Sequence, residues 1–177
     1  MKILATFDGS KSSEAILPQL RWMARIPGAE FTFLSVARRP HETSRRRAPR
    51  PVAAGVIIAG STPIAIALTD PQYAEDLGQA IDRALAERSD YLRDMVLDMP
   101  PGPTYGVEVK MADNPASAII KYAMEHSADV IVIGTHGETG MIHRLFGDVA
   151  EEVVRSGVAP VLLVHSNAAR AVSRDRP

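Results

Sequence analysis

Asp129-Val130-Ile131-Val132-Ile133, followed by Gly134-Thr135-His136-Gly137-Glu138-Thr139-Gly140-Met141-Ile142-His143-Arg144-Leu145-Phe146-Gly147-Asp148, is the stretch whose reading decides the fold of this 177-residue chain. A short apolar run of strand length gives way to a glycine-rich turn, and the turn opens into an amphipathic helix predicted from about Leu145. A turn of this kind exposes backbone N–H groups at the positive end of a helix dipole, which suits a phosphate. Glycine at 134, 137 and 147 permits positive φ and close backbone approach to a ligand. The stretch is not a P-loop, because no Gly-Lys-Ser/Thr follows. It is not a dinucleotide fingerprint either, since its spacing is wrong and it follows the fourth strand of the chain instead of the first.

Working outward, four more strands are predicted. Residues 2–7 form an apolar run that ends in the turn Asp8-Gly9-Ser10. Residues 30–36, 105–111 and 160–164 supply the others, the third with Val107, Val109 and Met111 alternating. Helices fill the gaps. Ser10 or Ser12 can cap the first, whose buried face is Ile16, Leu20, Met23 and Ala24. Pro18 should kink that helix or delay its start. Asp70-Pro71 opens the second, with a buried face of Leu77, Ile81, Ala84, Leu85, Arg88 (by its stem), Leu92, Met95, Val96 and Met99. Asn114-Pro115 repeats the cap-then-proline signal for the third. The last helix presents Leu145, Val149, Val153 and Val154 and stops at Gly157.

The order βαβαβαβαβ, with uninterrupted apolar strands between amphipathic helices, predicts an α/β fold. It is a single doubly wound, five-stranded parallel sheet with helices on both faces, Rossmann- or flavodoxin-like. Ligands of such sheets bind beyond the C-terminal strand ends at the topological switch point. That rule selects Asp8-Gly9-Ser10, Val36 and the glycine stretch together, because all three stand at or after strand ends. One domain is expected over residues 1–166, with a long insertion at about 37–69 and a frayed tail at 167–177.

Composition narrows the function. The formal net charge of -1 gives no field that favours nucleic acid or an anionic membrane. There is no cysteine, which removes disulfides, thiol catalysis and thiolate metal sites. The N-terminus reaches Asp8 and Gly9 too soon for a signal peptide, so a cytoplasmic protein is expected. Residues 51–68 carry no charge and approach the length of a membrane span. Pro51, Gly55, Gly60, Ser61, Thr62 and Pro63 interrupt them, and a packed loop is the better reading. Arg45, Arg46, Arg47 and Arg50 read as solvated loop residues or as a lid for phosphate.

Gly134, Gly137 and Gly147, in the pattern Gly-x2-Gly-x9-Gly, resemble the nucleotide-binding signature of the universal stress protein family. The opening Phe7-Asp8-Gly9-Ser10 and the close Val161-Leu162-Leu163-Val164 are similar to the same family. The resemblance implies an adenine nucleotide (ATP, AMP or cyclic AMP) at the rim, with Mg²⁺ as a companion of the phosphates. It implies that Asp8 contacts the adenosine part, that Val36 supports adenine through its backbone, and that Phe7, Gly9 and Ser10 belong to the same nucleotide-binding set. Met111, Gly134, Thr135, His136, Gly137, Gly140, Arg144, Gly147, Asp148 and Val149 complete the expected nucleotide-binding set. It further implies a homodimer paired through Val161–Val164. A dimeric interaction module without nucleotide is the alternative.

Two positions depart from the family pattern. Asp148 stands where the family has Ser or Thr. A carboxylate cannot donate to a phosphate and repels it, by about 4 kcal/mol at roughly 4 Å and an effective dielectric near 20. Three resolutions are open: Asp148 serves the helix N-terminus, Mg²⁺ bridges it to the phosphates, or the ligand is too short to reach it. His143 and Arg144 can supply compensating charge or be solvated. Asp113 stands where the family often has glycine, so a left-handed aspartate is expected there. Asp8 has no paired acid or nucleophile, and His126 and His165 have no ligand-spaced partners. No catalytic residue and no protein metal site are therefore expected, with any ATP hydrolysis slow and incidental.

Overall fold

The computed structural model describes residues 1–38, 71–135 and 147–165. Its contacts divide the chain into two compact units, one of Met1–Arg39 with Ala84–Pro177 and one of Pro40–Arg83. Of the second unit, the described residues belong to the first half of the helix Pro71–Leu97. The expected insertion at 37–69 falls outside the described residues beyond Arg38, as do the tail and the capping residue Asp70.

The first unit carries a five-stranded sheet: β1 (Lys2–Phe7), β2 (Glu30–Ala37), β3 (Thr104–Met111), β4 (Val130–Thr135) and β5 (Val161–His165). Every pairing is parallel, and the spatial order is β3-β2-β1-β4-β5. The chain winds outward from β1 to β3, then returns to the other side of β1 for β4 and β5. The switch point thus falls between β1 and β4, where Ile3 to Thr6 register with Val130 to Ile133. The helices are α1 (Lys11–Glu14), α2 (Leu17–Met23), α3 (Pro71–Leu97), α4 (Pro115–His126) and α5 (Asp148–Ser156).

Strand alternation sends side chains to two separate cores. Ile3, Ala5 and Phe7 of β1 join Phe31, Phe33 and Val132 under Ile16, Leu17, Leu20 and Leu92. Phe7 and Phe33 meet as a tilted pair at 5.1 Å between centroids, and Phe31 and Tyr105 stack at 5.2 Å. On the opposite face Leu4, Leu34 and Ile131 pack against Ile119, Tyr122, Ala123 and Val153. Helices therefore cover both faces, as the strand sequences require.

Local signals explain the boundaries. Pro18 lacks an N–H, so the first helical region breaks at Ala15-Ile16 and restarts as α2 with proline in its first turn. Asn114 caps α4 by accepting from the Ser117 N–H at 3.2 Å. Asp113 is not left-handed, because Ser127 is the single non-glycine residue of positive φ among the described residues. Gly157 closes α5 at φ 63. The expected helix face of α3 is only partly right. Leu92 and Met99 are buried and Leu85, Arg88, Met95 and Val96 half-buried, but Ala84 is exposed. In α5, Val153 is buried together with Ala150, while Val154 is 43% exposed.

Candidate functional site

The site begins with the turn after β1. Gly9 adopts φ 84, a conformation that costs glycine little and other residues more. The Asp8 carboxylate closes the turn by accepting from the Ser10 N–H at 2.9 Å and the Ser10 hydroxyl at 2.6 Å. Ser10 in turn caps α1, its Oγ accepting from the Ser13 N–H at 3.2 Å. The Ser13 hydroxyl returns to the Ser10 carbonyl at 2.7 Å. Asp8 thus fixes the backbone that launches the first helix.

Gly134, at the end of β4, lies against that launch. A Cβ there would stand 3.1 Å from the Ser12 carbonyl oxygen and 3.2 Å from Ser13 Cα. Its φ is not positive. The glycine is needed because the backbone of α1 comes so close. Gly147 also has an extended conformation, φ -69 and ψ 154, and is the N-cap of α5 without a side-chain bond. Neither glycine uses the positive φ that its lack of a side chain permits.

Beyond the strand ends lies a cavity of about 480 Å³. Its apolar walls are Phe7, Leu34, Val36, Ile119, Ile133 and Val149, and its polar residues include Thr6, Asp8, Ser13 and Arg88. Small-molecule sites have this size and this balance of apolar wall to few polar groups. Of the residues expected from sequence, Phe7, Asp8, Val36, Gly134 and Val149 line the cavity. Gly9 and Ser10 form the adjoining turn, Thr135 ends β4, and Gly147 and Asp148 begin α5. Met111 ends β3, the outer strand on that side, and is not part of the lining. His136, Gly137, Gly140 and Arg144 lie outside the described residues, as does His143.

Asp148 occupies the first position of α5 and is exposed. With Glu151 it places two acids in the first turn, where carboxylates complement the helix dipole. Asn114 and Ser117 of α4 donate to Glu152 at 3.3 Å, tying the starts of α4 and α5 together beside Pro115 and Ala150 of the lining.

Sequence reasoning assigned Arg88 to the buried face by its stem and missed the head. The guanidinium Nη1 donates to the Asp8 carbonyl at 3.1 Å and to the Ser35 hydroxyl at 2.9 Å, joining α3 to the ends of β1 and β2. The signal was present: an arginine inside the stripe formed by Leu85 and Leu92. Tyr91, three residues on, donates to Glu14 at 3.2 Å. Burial, reinforced by the Glu14 charge, pushes its phenol up to about 12.

Among the described residues no helix is long and apolar enough to cross a membrane, and no group of three or more acidic or histidine side chains is placed to hold a metal.

Known proteins with this architecture point one way. Universal stress protein MJ0531 of Methanocaldococcus jannaschii is 46% identical over 50 residues, 28% of this chain and 29% of that protein's length. Stress response protein NhaX of Bacillus subtilis is 26% identical over 171 residues, 92% of this chain and 96% of the relative. The solved structure of protein MJ0577 superposes with a TM-score of 0.67 at 20% identity, covering 93% of this chain and 94% of that one. A universal stress protein solved in complex with cAMP superposes at 0.52 and 20% identity, covering 94% and 97%. The family model of the universal stress proteins matches residues 60–165, and with more than half of its length so matched, the chain belongs to the universal stress protein family.

Proposed function

We propose that this stress protein binds an adenine nucleotide (ATP, AMP or cyclic AMP) in the cavity at the C-terminal rim and acts as a sensor or regulator. One observation carries the proposal: a mainly apolar cavity of about 480 Å³ opens at the β1–β4 switch point, with Asp8 and Arg88 among its few polar residues. The apolar lining from Val36, Ile119 and Ile133 suits a purine, and the exposed Asp8 suits a ribose hydroxyl. The cAMP complex of a structurally similar family member supports the ligand class.

Asp148 at the start of α5 would oppose a long phosphate chain unless Mg²⁺ bridges it. AMP and cyclic AMP escape that repulsion. The protein is proposed as a binding protein and not as an enzyme, acting in the cytoplasm. It would form a homodimer through β5, an outer strand on which Leu162 is 37% exposed.

Thermal unfolding with ATP, AMP and cyclic AMP, each with and without Mg²⁺, tests the proposal. A ligand at about a hundred times its Kd stabilises by roughly 2.7 kcal/mol. For a chain of this size that raises Tm by about 5–10 °C. No shift with any of the three ligands contradicts nucleotide binding and favours the interaction-module alternative.

A further inference from the structure

Arg88 reaches the cavity from α3, a helix that carries none of the strand-end turns. Among the described residues both of its hydrogen bonds leave from Nη1 and end on neutral oxygens, the Asp8 carbonyl and the Ser35 hydroxyl. Ser35 is fully buried, so the guanidinium is anchored to the rigid interior and its position is fixed. None of the ion pairs among the described residues involves it. A half-buried cation in a cavity lined also by Leu34, Val36 and Ile119 has lost part of its hydration, and two neutral oxygens do not return the charge. Nε and Nη2 retain donors that can form a fork with an anion.

The charge balance of the lining points the same way. Among the described lining residues the charged ones are Arg38, Arg88 and Asp8, two cations against one carboxylate in a chain whose net charge is -1. One oxygen of that carboxylate, Oδ1, is already turned into the Ser10 N–H and hydroxyl. The exposed Arg38 adds charge at the mouth, while Arg88 is held in place.

We infer that Arg88 is the anion-recognising residue of this cavity and makes it select a phosphate-bearing adenine ligand over the neutral nucleoside. The inference rests on the adenine-nucleotide reading above. A charge-assisted hydrogen bond of this kind is worth about tenfold to a hundredfold in affinity.

Calorimetric titration of adenosine and AMP into the wild-type protein, Arg88→Gln and Arg88→Lys measures it. The wild type is expected to prefer AMP by at least about tenfold. Arg88→Gln should erase that preference while holding adenosine affinity within about twofold, and Arg88→Lys should retain part of it. Equal weakening of both ligands in Arg88→Gln overturns the inference, because a residue that merely braces the rim or caps the base would act so. An unchanged ratio overturns it too. If the wild type binds neither ligand, the adenine reading fails, and inorganic pyrophosphate decides Arg88 by itself. At constant ionic strength, pyrophosphate should raise the Tm of the wild type and not that of Arg88→Gln. Equal shifts, or none, overturn the assignment.

Discussion

Replacing Gly134 by alanine adds one methyl group at the point where β4 meets α1. The new Cβ would lie 3.1 Å from the Ser12 carbonyl oxygen and 3.2 Å from Ser13 Cα. Carbon–carbon contacts are most favourable at roughly 3.5–4.0 Å, so the contact to Ser13 is short by at least about 0.3 Å. Both obstructing atoms are backbone, and no rotamer change can relieve them. The start of α1 must move, yet Ser13 is bonded to Ser10, and Ser10 to Asp8. Overpacking of this kind costs about 1–3 kcal/mol. At about 2–4 °C per kcal/mol for a chain of this size, Tm should fall by roughly 2–12 °C. Gly106→Ala in β3 is the control, because its added Cβ meets the Phe31 carbonyl oxygen at an ordinary 3.7 Å. Scanning calorimetry of the two variants beside the wild type gives the comparison. If Gly134→Ala melts with the wild type and Gly106→Ala, the close approach of α1 is not what requires glycine at 134.

Other perturbations reach separate parts of the fold. Asn114→Ala removes the cap of α4 and a link to Glu152, and denaturant unfolding should show a loss of about 1 kcal/mol. Leu92→Ala empties a fully buried position on α3 and should cost about 2–5 kcal/mol by the same assay. Tyr91 has a folded pKa near 12 against an ordinary 10. Its contribution is therefore complete below pH 10 and is lost as pH rises from 10 toward 12, since the unfolded chain ionises first. Spectrophotometric titration should show one phenol fewer ionising near pH 12 in Tyr91→Phe, and a Tyr91 that titrates at 10 contradicts the burial argument.

The fold was legible because each element carried its own signal. The run Val130–Ile133 is apolar on both faces, which suits a strand in a sheet covered on both sides. Asn114-Pro115 and Pro18 announced boundaries through chemistry that acts within a few residues. Asp8, Val36 and Gly134 could be placed on one rim because strand ends of a parallel sheet share an edge. The reason for Gly134 was not legible, since it depends on the backbone of α1, some 120 residues earlier in the chain. Arg88 was half legible. Periodicity put its stem on the buried face, but only the packing of α3 over β1 and β2 brings Nη1 to Asp8 and Ser35. Met111 was placed at a strand end correctly, but β3 is the outer strand and that end stands away from the switch point.

Isothermal titration of AMP and cyclic AMP into the wild-type protein and Asp8→Ala is the most direct measurement of the central claim. The rim cavity predicts saturable binding at one site per chain that Asp8→Ala weakens by at least about tenfold, the loss of a hydrogen bond to a charged acceptor. Nucleotide binding that is absent in the wild type, or unchanged by Asp8→Ala, would contradict it.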